Sequence, residues 1–339
     1  MKTYSLYLTA LLALLLCGCN NEIPFNLQEN PPKLVINALI HAENPENYLY
    51  LSLTGQTKPT YVTDATVEVR INGQLAETVH AQPVSGNSFP NQYRLTSRFN
   101  PGDLVRIDAI TADGKHHAWA EDVVPQPIDI IERVDTVTKQ IARYNAFVKM
   151  MQYKITFKDR PNEKNYYRLV LETRTVEQRI TESGKDTTAI TLSHNLLNRE
   201  DVVLTDGRPM TSEDADNGLF DVIENRYNVF DDSRFTNNTY TMTVYNQKPL
   251  DYSWNWNKVV HAKADVTIRI VSITEAEYYY LKVLNALDSD AFDESVNEPI
   301  RFPSNVNGGI GIVGFSTERS YLQPIGEADI PLPDENLYP

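Results

Sequence analysis

Ala65-Thr66-Val67-Glu68-Val69-Arg70-Ile71-Asn72-Gly73-Gln74-Leu75-Ala76 decides the fold class. Val67, Val69 and Ile71 alternate with Thr66, Glu68 and Arg70, the period of a strand with one buried face. Asn72-Gly73 tolerates the positive φ of a type I′ turn, so the chain returns through Gln74 as a hairpin. Upstream, Leu34 to Leu39 and Leu49 to Leu53 alternate in the same way. Downstream, Leu104 to Ile110 turns at Asp113-Gly114 and returns through Lys115 to Glu121, with Trp119 expected as a core anchor. Adding a strand near Tyr93 gives about seven short strands over residues 33–124 with no helical pattern between them, which predicts an immunoglobulin-like β-sandwich. Pro125-Gln126-Pro127 forms a linker of residues 125–127, since proline donates nothing to a ladder and restricts the residue before it.

Residues 128–339 are predicted to form a larger β-rich domain. Phe147 to Phe157 alternates, and Tyr166 to Ile180 runs toward a turn at Ser183-Gly184-Lys185-Asp186 and returns over Thr187 to Leu192. Thr239 to Val244 and Ala264 to Ile273 add further strands. One helix is expected at about 274–288: Thr274 and Glu277 have the spacing of a capping box, and Ala276, Tyr279, Tyr280, Val283, Leu284 and Leu287 recur as its packing face. The fold class is therefore mainly β, an N-terminal immunoglobulin-like sandwich followed by a larger β-rich domain with one α-helix in the C-terminal region.

The start of the chain sets its expected address. Lys2, an apolar run from Leu6 to Leu16 and the small Gly18 follow the layout of a secretory signal, here residues 1–18. The run falls short of the roughly 20 apolar residues a spanning helix needs. Leu16-Cys17-Gly18-Cys19 resembles a bacterial lipobox, which makes Cys19 the expected lipidation site and the membrane a partner through that anchor. Residues 19–32, rich in Asn, Glu and Pro, read as a tether. Cys17 and Cys19 are the only two cysteines, so the processed chain would carry no disulfide and would stand on its core.

A net charge of −14 disfavours nucleic acid, which is bound through clustered Lys and Arg. Gly309-Ile310-Gly311-Ile312-Val313-Gly314 satisfies G-x-G-x-x-G but follows a polar loop and opens no helix, so it reads as a bulge or a close backbone approach, not a dinucleotide site. The six histidines are scattered without metal-ligand spacing, and Glu213 to Asp221 lacks the order of a calcium loop. Neither a metal nor a cofactor is expected. Without a G-x-S-x-G elbow, a retained thiol or a readable carboxylate pair, the chain is not expected to be an enzyme. Tyr252-Ser253-Trp254-Asn255-Trp256 is the candidate contact site, since Tyr252, Trp254 and Trp256 share one strand face or one loop and could stack on a ligand.

The stretch Asn297-Glu298-Pro299-Ile300-Arg301-Phe302-Pro303-Ser304-Asn305-Val306-Asn307-Gly308-Gly309-Ile310-Gly311-Ile312-Val313-Gly314-Phe315 resembles the closing motif of the DUF4249 family of Bacteroidetes lipoproteins. Leu34 to Ile40, Asp64-Ala65-Thr66-Val67, Asn165-Tyr166-Tyr167-Arg168-Leu169 and Asp231-Asp232-Ser233-Arg234-Phe235 fall in that family's order. The resemblance implies an outer-membrane lipoprotein, at the cell surface or facing the periplasm, of a kind often encoded beside TonB-dependent receptors. It brings no catalytic residues. The expected role is a non-enzymatic accessory or ligand-binding partner of a TonB-dependent transporter in nutrient uptake, its ligand unspecified. The alternatives are a fimbrial or adhesion subunit and a free-standing glycan-binding lipoprotein.

Overall fold

A computed structural model describes residues 31–55, 58–81, 89–143, 146–180, 186–210, 224–252, 258–288 and 301–332. They form sixteen strands and one helix, so the chain is mainly β. The strands of the first region are β1 (Leu34–His41), β2 (Asn47–Leu53), β3 (Thr60–Tyr61), β4 (Thr66–Ile71), β5 (Gln74–His80), β6 (Gln92–Leu95), β7 (Leu104–Ile110) and β8 (His117–Val123). Then come β9 (Ile131–Arg143), β10 (Ala146–Lys158), β11 (Tyr166–Ile180), β12 (Asp186–Ser193), β13 (Val229–Asp231), β14 (Thr239–Gln247) and β15 (Val259–Ile273). Helix α1 (Glu275–Leu287) and the long β16 (Ile310–Asp329) close the order.

The Asn72-Gly73 turn forms as its residues dictate, with φ of 51° and 81°, and joins β4 to β5. Sheet β5-β4-β7-β8 buries Val67, Val69, Val105, Ile107, Ala118 and Ala120 in one core with Ile36, Ile40, Leu49, Leu51 and Tyr93 from β1, β2 and β6. The Tyr93 hydroxyl inside this core is satisfied, donating to the Val62 carbonyl at 3.1 Å and accepting from the Ala65 amide at 3.0 Å. Trp119 corrects its expected place. Ala118 and Ala120 take the inward positions of β8, and Trp119 between them is half-buried on the outer face, because successive residues of a strand alternate sides.

The largest sheet runs β12-β11-β15-β16-β1-β2-β3, with β13 on β11 and β6 on β2. One face of β11 and β15 packs against sheet β14-β10-β9 over a second core that includes Tyr153, Ile155, Phe157, Tyr167, Leu169, Phe230, Phe235, Met242, Ile268 and Ile270. Phe157 sits among Tyr167, Phe230, Phe235 and Tyr240 at ring separations of 5.6–6.3 Å. One strand serves both cores: the first part of β16 pairs in parallel with β1 and puts Val313 and Phe315 into the first core, while its remainder pairs with β15. A parallel pairing between the two ends of the folded chain needs no tight turn, so no local signal in the sequence announces it.

Candidate functional site

The closing motif is where β1, β8, β16 and α1 meet. Its loop is pinned by Asn305, whose side chain donates to the Val313 carbonyl at 2.7 Å and accepts from the Val313 amide at 3.0 Å. Asn307 exchanges two backbone hydrogen bonds with Trp119, covering the edge of β8. A Cβ at Gly311 would stand 2.1 Å from the Ile36 carbonyl oxygen, and at Gly314 2.8 Å from Glu277. The glycines thus let β16 approach a neighbouring strand on one side and a helix on the other.

Helix α1 begins after Thr274, but no capping box forms. Thr274 makes no side-chain cap; its hydroxyl oxygen accepts from the Phe315 amide at 3.4 Å. Glu277 turns inward, with Tyr278, Leu281 and Asn285 as the other buried residues of the helix. This corrects the expected packing face: Tyr279 is exposed, and Ala276, Tyr280, Val283, Leu284 and Leu287 are half-buried. Two polar residues occupy the buried stripe, so apolar periodicity alone points to the adjacent one.

Glu277 is 4% exposed, and its Oε2 has no hydrogen-bond partner. Burial raises its carboxyl to about 7, opposed by the positive charges of Arg168 and His41. Arg168 Nε is likewise buried without a partner. His41 Nε2 lies 3.2 Å from Glu318 Oε2, and its Nδ1 lies 2.9 Å from Glu43 Oε2 without hydrogen-bond alignment. The hydrogen bond to Glu318 is the main cause of a raised His41 pKa, against the opposing effect of burial. From Glu318 the ion pairs continue across the sheet: Arg269 Nε to Glu318 at 3.4 Å, Arg269 Nη2 to Glu172 at 3.3 Å, and Glu172 to His194 at 3.1 Å. Charged side chains from β1, β16, β15, β11 and the end of β12 therefore form one belt beside the foot of α1. Glu277, at its head, can take up a proton near neutral pH.

Other buried carboxylates are satisfied and structural. Asp201 accepts from the Val203, Leu204 and Thr243 amides at 2.9, 3.2 and 2.8 Å and from the Tyr240 hydroxyl at 3.0 Å. Asp159 accepts from Tyr167 Oη and the Asn237 amide, both at 2.8 Å. Asp232 accepts from the Asn165 amide at 2.9 Å, which joins two of the motif fragments. Asp201→Ala would orphan four donors at once and should lower stability by about 3 kcal/mol or more. Urea unfolding checks this, and a loss under about 1 kcal/mol would contradict it.

Of the candidate contact residues, Tyr252 is half-buried and donates to Glu177 Oε1 at 2.6 Å; Trp254 and Trp256 lie outside the described residues. Cys19, most of the tether, the acidic segment 213–221 and the turn at 183–185 lie outside them too. Among the described residues, no three His, Cys, Asp or Glu side chains are grouped to hold a metal ion, and no helix is long and apolar enough to cross a membrane. Sequence reasoning missed Glu277 as a buried acid and His41 and Arg168 as its neighbours. The available signal was a glutamate one residue before Tyr278 on a helix that directly follows the strand end Ile270-Val271-Ser272-Ile273.

A comparison with curated proteins finds no match. The family model described as a domain of unknown function, DUF4249, matches residues 20–321. Since that match takes in both cores, the belt and the closing glycine motif, the chain belongs to the DUF4249 family.

Proposed function

We propose that the protein is a lipid-anchored accessory of the bacterial outer membrane, not an enzyme, which captures a ligand for, or steadies, a TonB-dependent transporter. The observation that carries this reading is Leu16-Cys17-Gly18-Cys19, which stands immediately ahead of the family match at residue 20. The processed chain would begin at an acylated cysteine, pass through the rest of the tether and enter β1, an interior strand of the largest sheet. A tether joined to an interior strand suits a body held beside a membrane partner, because any pull is met by ladders on both sides of β1.

The test has two parts. Palmitate labelling should mark the protein at Cys19, and Cys19→Ala should give an unlabelled, folded and soluble protein. A Cys19→Ala protein that stays in the membrane would overturn the anchor. Tagged protein purified from its native outer membrane should carry a TonB-dependent receptor, and its recovery without one under ligand-replete growth would overturn the partnership.

A further inference from the structure

The outer face of β4, β7 and β8 carries a groove of about 470 Å³, within the range of about 300–1,000 Å³ occupied by small-molecule sites. Register places Glu68 opposite Asp108 and Arg70 opposite Arg106 between β4 and β7, and Asp108 opposite Trp119 and Ile110 opposite His117 between β7 and β8. These side chains therefore share one face, away from the core. Arg106 lies over the Trp119 indole, 3.9 Å from the ring centroid, and its Nε and Nη2 both donate to Asp108 at 2.8 Å. Asp108 also meets His117 Nε2 at 3.2 Å, and Arg70 Nη2 donates to Glu68 Oε2 at 2.6 Å. The groups are braced before any ligand arrives, which lowers the entropy lost on binding.

The chemistry of the groove narrows its occupant. Both β4 and β7 have paired neighbours on each side, so no peptide strand can be added there and recognition must go through side chains. Each guanidinium already holds a carboxylate, which leaves little to draw a phosphate or polyanion toward a protein of net charge −14. Ile110, 43% exposed, is the one aliphatic side chain of the lining, too little for a lipid. Among the described residues, no hydrogen bond engages Glu68 Oε1, Arg70 Nη1 or Arg106 Nη1. A carboxylate oxygen that can accept thus stands beside guanidinium N–H groups that can donate, on strands about 4.8 Å apart. A ligand hydroxyl both donates and accepts, and a row of them on a ring fits this alternation.

We propose that the groove binds an uncharged oligosaccharide, its hydroxyls donating to Glu68 and accepting from Arg70 and Arg106, and its C–H face resting on Ile110. The site names a ligand class for the capture role proposed above and rests on that reading only for its setting.

Calorimetric titration of the full-length protein, in a detergent without a sugar headgroup, tests it. The probes are neutral gluco-, manno-, xylo- and galacto-oligosaccharides, with polygalacturonate and inorganic phosphate as charged comparisons. At least one neutral oligosaccharide should bind with little dependence on salt. The variant carrying Glu68→Ala and Arg70→Ala, both partly exposed and so expected to fold, should bind it roughly tenfold more weakly or worse, the loss of one or two net hydrogen bonds. Urea unfolding of that variant confirms that its body is intact. Absence of binding by every neutral probe would overturn the proposal. So would salt-sensitive binding of polygalacturonate or phosphate in their place, or binding that survives the double substitution and is lost with Trp254→Ala and Trp256→Ala. If the sugars fail while a TonB-dependent receptor still copurifies, only the groove assignment falls. If the sugars bind and no receptor copurifies, only the partnership falls.

Discussion

Gly311→Ala should abolish most of the folded population, a loss of at least about 4 kcal/mol, the range of severe core and backbone defects. Two effects act together at this position. Its φ is +122°, where a side chain is strained, and the added Cβ would stand 2.1 Å from the Ile36 carbonyl oxygen and 2.9 Å from the Ile36 backbone nitrogen. Neither obstacle is a flexible side chain. Relief would mean separating β16 from β1 along a ladder that runs from Val35 opposite Ile310 to His41 opposite Ser316, and that ladder delivers Val313 and Phe315 to the first core. The same strand provides the control: Gly326 has a φ of +128°, and a Cβ added there would meet nothing within 4 Å. Gly326→Ala therefore carries the conformational cost alone, about 1–3 kcal/mol. Soluble yield and urea midpoints of the two variants separate the contact from the dihedral angle. Equal, mild losses for both would show that β1 and β16 are not held this closely.

The strands legible in the sequence are those whose partner lies a turn away. Val67, Val69 and Ile71 alternate into Asn72-Gly73, and the register follows from the turn. The Gly309 to Gly314 stretch was legible as a place of close backbone approach, but not as to what approaches, because β1 is its partner from the other end of the chain. Trp119 misleads for another reason. A large aromatic suggests core, yet its phase within β8 is set by Ala118 and Ala120, and small residues face inward where β16 and the Asn307 bridge lie close. The candidate site was the least legible part. Glu277 carries the label of a capping residue in sequence, and its inward turn follows from the room left by Gly314 and from Arg168 on β11, neither of which is near it in the chain.

Glu277→Gln should leave stability at pH 5 within about 1 kcal/mol of the parent and make the protein more stable at pH 8 by about 3 kcal/mol, the linkage expected of such a shift. The buried carboxyl has a folded pKa of about 7 against an ordinary value of 4.5. Between those values the folded state holds a proton that the unfolded state has released, so stability falls as pH rises. The contribution of the neutral acid is complete below pH 4.5 and is lost as pH climbs through 7. Around the carboxyl stand His41 from β1 and Arg168 from β11, with Glu318 from β16 and Glu43 beyond His41 and Arg269 beyond Glu318. His41, whose pKa is also raised, contributes in the same direction above its ordinary 6.5, so the parent's total slope is not that of Glu277 alone. The acids held low by hydrogen bonds and ion pairs, Glu77, Asp108 and Glu172, act below their ordinary values and leave this window flat. The difference between parent and Glu277→Gln removes Glu277 and, with it, the part of the His41 shift that the Glu277 charge causes. Glutamine keeps the size of the side chain over Gly314 and cannot ionise, so urea unfolding from pH 5 to pH 8 should give curves that diverge up to about pH 7 and level off above it. Parallel curves would mean that Glu277 is ionised in the folded protein throughout that range, with Arg168 and His41 compensating its burial in full.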